Sequence, residues 1–382
     1  MSIDFLYLSE KDMIEAGVLD AARCIEAMRE TMSLFGKKDF LLGGPRADEH
    51  GLQVNFPAKS DIPGFPLDDG PDRRFMAMPA YLGGKYHVAG QKYYGSNSHN
   101  LQKGLPRSIL MVTLSDVDTG APLAVMSANL LSAMRTGAMP ALAAEYLAKK
   151  DSRVLSLIGP GVINKCAFRC YMEALPGIDT VKIKGSTPES RSARAMKEYI
   201  DAEYPQIRKI ILCSTLEEAC READVVSEAV SVTKAEMEEF KPDWFDKGAA
   251  VFSMGSFFVK EYEKLLGTRM VVDNYGMYEK YMSNFIARGP VDEFGKKREW
   301  CIMGMHFVHL VNTGQAERSQ VLSLSDLVNG KAKGRTSDDE VVMCSIGGMP
   351  LEDLSWGWEC WQEARRKGLG TVLNLWEEPY MK

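Results

Sequence analysis

The chain has 382 residues, 45% of them hydrophobic and 26% charged, with a formal net charge of -6. That balance excludes a disordered or fibrous chain, and the length exceeds what one hydrophobic core usually serves, so two domains are expected. An acidic chain without a concentrated basic patch is a poor match for a phosphate backbone, which argues against nucleic acid as a partner.

The N-terminal MSIDFLYLSEKDM lacks a basic region followed by an apolar one, and no later run is long and apolar enough to span a bilayer. A cytoplasmic address without membrane partners is the expectation. From Glu10 to Gly36, apolar residues at helical spacing predict one or two helices. The run PAKSDIPGFPLDDGPD, from Pro57 to Asp72, is too rich in proline, glycine and aspartate for a helix or central strand, and reads as a surface loop or flap. Short alternating runs between Phe75 and Val125 predict an antiparallel sheet. Ser132 to Ala148 reads as a helix, with Pro140 a kink or a start.

From Val154 the pattern changes to strand and helix in alternation. Val154–Ile158 is an apolar run suited to a buried parallel strand, Gly159-Pro160-Gly161 a tight turn, and Val162 to Leu175 a helix. Further strands are expected at Thr180–Ile183, Ile210–Cys213, Val225–Ala229, Ala249–Met254 and Met270–Val272, with helices at Glu189–Asp201 and Leu216–Ala223. The fold class is therefore α/β, with a Rossmann-type doubly wound parallel sheet. A last helix is expected over Leu351–Gly368, and the tryptophans Trp356, Trp358, Trp361 and Trp376 suggest packing onto another domain or subunit. Eight cysteines without close Cys-x-x-Cys pairs read as reduced thiols. Cys166 with Cys170, and His306 with His309, lack the further ligands that a metal needs, so no metal is predicted.

Glycines after the first strand of such a sheet let the chain turn sharply and bring a pyrophosphate against amides at a helix N-terminus. Gly159 and Gly161 suit those roles, while Asn164 stands at the third position of the usual glycine pattern. After the second strand, an acid would accept the ribose hydroxyls of NAD. The sequence there is Lys184-Gly-Ser186-Thr187, followed by Arg191, which favours a 2′-phosphate and so NADP, with NAD as the other option. The expected cofactor contacts are Gly159, Pro160, Gly161, Val162, Ile163, Lys184, Ser186, Thr187, Arg191 and Ser227.

The order of motifs resembles the ornithine cyclodeaminase/mu-crystallin family. The resemblance is carried by Pro45-Arg46, Gly90-Gln-Lys92, Asp118-Thr-Gly-Ala-Pro-Leu123, Met134-Arg-Thr-Gly-Ala138, Ile158-Gly-Pro-Gly161, Val272-Asp273, Gly334-Arg335 and Gly348-Met-Pro-Leu-Glu-Asp353. It implies a Rossmann domain, placed at 131–350, and a discontinuous α+β domain for substrate binding and dimerisation, placed at 1–130 and 351–382. It also implies that Arg46 and Arg135 clamp a substrate carboxylate and that Lys92 and Arg135 stand nearest the chemistry. A lysine whose pKa is lowered by burial and neighbouring arginines can exchange a proton with a substrate amine.

One departure bears on the reaction. Cyclodeaminases of the family carry an aspartate after a mid-Rossmann strand, and here Val251-Phe-Ser-Met-Gly-Ser-Phe257 places Phe257 there, with Glu228 on the preceding strand a different carboxylate. The first expectation is therefore hydride transfer at the nitrogen-bearing carbon of an amino acid, imino acid or related amine, in a homodimer. A cyclodeaminase using NAD without net redox change is the second, and an NADPH-dependent binding protein like mu-crystallin is the third.

Overall fold

The computed structural model describes residues 2–68, 73–230, 238–289 and 300–381. The loop expected over 57–72 and the segment 281–305 therefore lie partly outside the described residues.

Strand β1 (Ile3–Leu8) leads into α1 (Glu10–Glu15) and α2 (Ala21–Lys37). The single apolar periodicity is split in two: Ser9 and Asp12 cap α1 reciprocally, Gly17 turns the chain at φ +84°, and Asp20 caps α2. There follow β2 (Phe40–Leu42), β3 (Leu52–Asn55), β4 (Arg74–Leu82), β5 (Val88–Ser96), β6 (Ser108–Asp116), β7 (Pro122–Ser127) and α3 (Asn129–Leu147), which contains Pro140 and does not start there. The alternating half of the chain continues with β8 (Val154–Ile158), α4 (Val162–Ala174), β9 (Thr180–Lys184), α5 (Arg191–Glu203), β10 (Lys209–Leu212), α6 (Leu216–Cys220), β11 (Val225–Glu228) and β12 (Ala250–Ser253). Then come β13 (Arg269–Val272), α7 (Tyr275–Ala287), α8 (Met303–Asn312), β14 (Val321–Ser323), α9 (Leu324–Val328), β15 (Val342–Ser345), α10 (Pro350–Lys367) and β16 (Thr371–Trp376).

The chain divides into two compact units, Met1–Arg135 with Met349–Lys382, and Thr136–Gly348. In the first, the sheet order is β16-β1-β7-β6-β5-β4-β2, with β3 also paired to β4. Strands β4 to β7 are antiparallel neighbours. Helix α10 packs on the face of β4 and β5, and Gly90 is what lets it come close. A Cβ there would meet the Thr113 carbonyl at 2.2 Å and Leu354 at 2.8 Å. Trp356 is fully buried inside its own unit, its indole N–H donating to the Val18 carbonyl at 3.2 Å. The tail contributes β16, an exposed edge strand on β1.

The second unit is the expected doubly wound sheet, all parallel, in the order β10-β9-β8-β11-β12-β15-β13-β14. The direction of winding reverses between β8 and β11, the place where open α/β sheets bind ligands at strand C-termini. Asp273, at the end of β13, is fully buried and binds the amides of Gly347 and Gly348 at 2.8 and 2.9 Å and the Tyr278 hydroxyl at 3.0 Å. Burial raises its pKa. Its acceptor capacity fixes the segment that leads into α10.

All eight cysteines are free. Among the described residues no group of acids, histidines and cysteines could hold a metal, and no helix is long and apolar enough to cross a membrane.

Candidate active site

Two sets of residues are candidates for the chemistry, one in each unit. In the first unit, Lys92 lies mid-β5, in register with Met78 of β4 and Val112 of β6, both buried. Asn129 fixes the start of α3 to β6, accepting from the Leu110 amide at 3.0 Å and donating to the Ser108 carbonyl at 2.8 Å. Ser132 and Arg135, three residues apart, then share one face of α3. Pro350 opens α10, a position where its missing N–H costs nothing, and Glu352 and Asp353 follow in the first turn, where the helix dipole favours negative charge.

These elements bring four charges together with almost no solvent exposure. Lys92 Nζ lies 2.9 Å from Asp353 Oδ2 and 3.4 Å from the Ser132 hydroxyl. Arg135 grips Asp353 through Nε and Nη2, both at 3.1 Å, and donates to Glu352 Oε2 through Nη1 at 2.6 Å. The other Glu352 oxygen accepts the Met349 amide at 3.1 Å, which ties the acid into the helix cap. Burial opposes the Arg135 charge, but Asp353 and Glu352 outweigh it and raise its pKa. Lys92 is different. Burial and the neighbouring Arg135 lower it to about 8, against the opposing pull of Asp353. A lysine so lowered is better suited to passing a proton than one at its ordinary value. His50, half-buried beside them, is pushed to about 3 by burial and by Lys92 and Arg135, so its ring is neutral.

The sequence pointed to Lys92 and Arg135, and the structure joins them. Arg46 is not in this cluster: its guanidinium is 70% exposed and pairs with Asp48 at 3.3 Å. Asp353, Glu352 and His50 were not singled out as site residues. The signal for the acids was in the Gly348–Asp353 motif itself, whereas a lone His50 carried none.

In the second unit the turn after β8 has the features a pyrophosphate needs. Gly159 is held at φ +77°, and a Cβ there would strike the Ala229 carbonyl at 2.9 Å, so glycine is required by the protein's own packing. Gly161 caps α4 without any side-chain hydrogen bond, and a Cβ there would meet nothing within 4 Å. The space above it is open, and the first-turn amides of Val162, Ile163 and Asn164 are those a helix leaves without intrahelical partners. Val162 is exposed and Pro160 buried. Asn164 explains the missing third glycine. Its amide nitrogen donates to the carbonyls of Ile158, Gly159 and Ser227 at 2.8, 3.0 and 3.2 Å, pinning the turn from beneath.

Two expected cofactor contacts are corrected. The Ser227 hydroxyl is fully buried and donates to Asn164 Oδ1 at 2.7 Å, so it holds the turn and faces no ligand. Lys184 is also buried, its ammonium bonded to the Gly185 carbonyl at 2.7 Å and 3.5 Å from Glu238. It is turned inward because β9 is covered there. Ser186, Thr187 and Arg191 are exposed at the same strand end. Phe257 is a core residue, fully buried and stacked on Phe240 with centroids 4.4 Å apart. Glu228 is equally buried and accepts from Ser253, Gly255 and Ser256, so its carboxylate joins β11 to the loop after β12. Burial raises its pKa.

Removing one partner of a buried ion cluster leaves the others uncompensated, at about 3–5 kcal/mol. Arg135→Met is therefore expected to lower the unfolding free energy by about that amount in a denaturant titration, with part restored by adding Glu352→Gln. A variant as stable as the parent would show that Arg135 is not what neutralises the two acids.

The family description "Ornithine cyclodeaminase/mu-crystallin family" matches residues 22–368. The N-((2S)-2-amino-2-carboxyethyl)-L-glutamate dehydrogenase of Staphylococcus aureus is 27% identical over 98% of this chain and 100% of its own length. The alanine dehydrogenase of Archaeoglobus fulgidus is 26% identical over 78% of this chain and 83% of its own. Among solved structures, the Thermococcus litoralis Δ1-pyrroline-2-carboxylate reductase in complex with NADH and L-proline is similar at a TM-score of 0.73 and 20% identity, covering 96% of this chain and 99% of that one. A match over most of the chain settles the kinship: the protein belongs to the ornithine cyclodeaminase/mu-crystallin family.

Proposed function

We propose that the protein is an NAD(P)-dependent oxidoreductase that exchanges a hydride at the nitrogen-bearing carbon of an amino or imino acid. The observation that carries this reading is the buried Lys92, held 2.9 Å from Asp353 with its pKa near 8. The relatives named as alanine dehydrogenase and as pyrroline-carboxylate reductase act on substrates of that class. The nicotinamide, when bound, supplies or takes the hydride.

The chain's own residues do the rest. Gly159, Gly161 and the first turn of α4 receive the pyrophosphate, with Pro160, Val162 and Ile163 shaping the turn. Lys92 gives a proton to the reacting nitrogen in the reductive direction and takes one in the oxidative direction, with Asp353 holding its ammonium in place. Arg135 stabilises the acids on which Lys92 depends, its guanidinium engaged with Asp353 and Glu352. A cyclodeaminase reading is weaker, because Phe257 fills the core where an acid would be required.

NADP is the preferred cofactor in this reading, since Ser186, Thr187 and Arg191 follow β9 and the strand end itself, Lys184-Gly185, carries no acid. The chain acts as a homodimer. In the first unit, Leu52, Val54, Phe75, Tyr93, Ile109 and Met111 stand exposed on adjacent strands of one sheet face, and a second copy would cover that apolar surface.

Lys92→Met is expected to reduce kcat by about 100-fold or more with cofactor affinity nearly unchanged, measured by nicotinamide absorbance and by titration. In the parent, kcat/KM for reduction should fall above a pH of about 8 and that for oxidation should rise there, since one direction needs the ammonium and the other the free amine. Unchanged turnover in the variant would remove Lys92 from the reaction. Arg191→Ala should weaken NADPH more than NADH; equal losses would remove the case for the 2′-phosphate.

A further inference from the structure

The sheet face that presents Lys92 is covered unevenly. At Gly90 a Cβ would meet Leu354 of α10 at 2.8 Å, and at Lys92 the cover is Asp353, from the first turn of the same helix. In the next cross-strand row on that face, Met76 of β4, Tyr94 of β5 and Leu110 of β6 stand side by side. Met76 is buried, whereas Tyr94 and Leu110 are half-buried. The cover thus thins past Lys92, and the open side of its ammonium is the side of Tyr94.

The hydrogen bonds of the ammonium point the same way. An ammonium has three N–H donors, and two are directed at Asp353, at 2.9 Å, and at Ser132, at 3.4 Å. One is left for a substrate. The centroid of the Tyr94 ring lies 5.9 Å from Lys92 Nζ. That gap exceeds van der Waals contact, about 3.5–4 Å between carbons, so a flat group resting on the ring comes within hydrogen-bond reach of the ammonium. The hydroxyl end of the ring is engaged elsewhere, donating to Met76 Sδ at 3.0 Å and accepting from Arg74 Nη2 at 3.3 Å. Tyr94 is therefore a fixed platform that offers its π face rather than its hydroxyl.

We propose that Tyr94 is a further catalytic residue, its ring carrying the flat C=N group of the substrate while Lys92 protonates the nitrogen. The assignment rests on the hydride-transfer reading. In the reductive direction a Lys92 N–H bond breaks and the imine lone pair takes the proton. The C=N carbon then accepts a hydride from the reduced nicotinamide, which leaves an amine and an oxidised nicotinamide. The first step moves positive charge from the lysine to the substrate nitrogen, and the negative face of the ring attracts it there. The ring thus favours the iminium over the neutral imine, and a saturated, puckered product keeps less of the contact. The substrate class that fits is an imine flat about the carbon that bears its carboxylate.

Binding tests the platform by itself: isothermal titration of the full-length protein, loaded with NADPH, with picolinate and with cyclohexanecarboxylate as probes. Both are ring carboxylates, but picolinate is flat and has a nitrogen beside the substituted carbon, whereas the other is puckered and more apolar. Picolinate is expected to bind about tenfold tighter. Tyr94→Leu should abolish most of that preference, and Tyr94→Phe should retain most of it. Equal affinities in the parent overturn the proposal without any variant needing to fold, and so does a preference that survives Tyr94→Leu. Turnover tests the chemistry, with pyruvate and methylamine, which form an imine in solution, and NADPH. Tyr94→Leu should lower kcat about tenfold with a smaller change in KM, and Tyr94→Phe should lose no more than about threefold. A phenylalanine variant as impaired as the leucine variant would give the role to the hydroxyl and overturn the proposal. Picolinate preference in a parent that oxidises no NADPH would sink the hydride reading and keep the ring as a binding platform. Turnover with no picolinate preference would do the reverse.

Discussion

A buried cluster of two cations and two anions is the constraint on which the first unit is organised. Lys92, Arg135, Glu352 and Asp353 come from β5, α3 and the first turn of α10, and each charge is tolerable only because the others are there. Desolvating a single ammonium would simply discharge it, and desolvating a single carboxylate would protonate it. Together they hold the lysine part-way, with its pKa lowered into the range where a proton can be passed in either direction. Arg135 is the asymmetric member: it keeps its charge at any working pH and so neutralises the acids whether or not Lys92 is protonated.

Several other features of the chain follow from the need to seat that cluster. Gly90 exists because α10 must lie close on β5, and Asn129 because α3 must begin at a fixed place on β6. In the second unit the same logic appears with backbone donors. Asp273 and Glu228 are buried carboxylates satisfied almost wholly by amides and hydroxyls of neighbouring loops. Asn164 does the corresponding work with a neutral amide under the glycine turn. Buried polar groups thus define the strand ends at which the chemistry is proposed.

How much of this was legible in the sequence depended on the range of the interactions. The strand, turn and helix over 154–174 were legible because continuous apolar runs and two glycines specify them locally. Strands β14 and β15 were not, since three or four residues such as Val342–Ser345 carry no periodicity and their place beside β12 and β13 is set by the sheet. The exposed β16 was missed for a related reason, being held by its pairing with β1. Lys92 and Arg135 were legible through motifs. Glu352 and Asp353 stood in a motif too but did not read as site residues, because acids in a first helical turn usually face water and complement the dipole; only their partners Lys92 and Arg135, distant in sequence, bury them. Lys184 and Ser227 show the opposite failure. Residue type and position suited a cofactor, but the fold had already engaged both side chains.

The central claim is that burial beside Arg135 leaves Lys92 titrating near neutrality, and it is most directly tested by nitrogen NMR of the Lys92 ammonium in protein carrying ¹⁵N at the lysine side chains. A midpoint at about 8 is expected, moving lower in Asp353→Asn, because that acid is what holds the proton on. A midpoint at the ordinary 10.5, indifferent to Asp353, would contradict it.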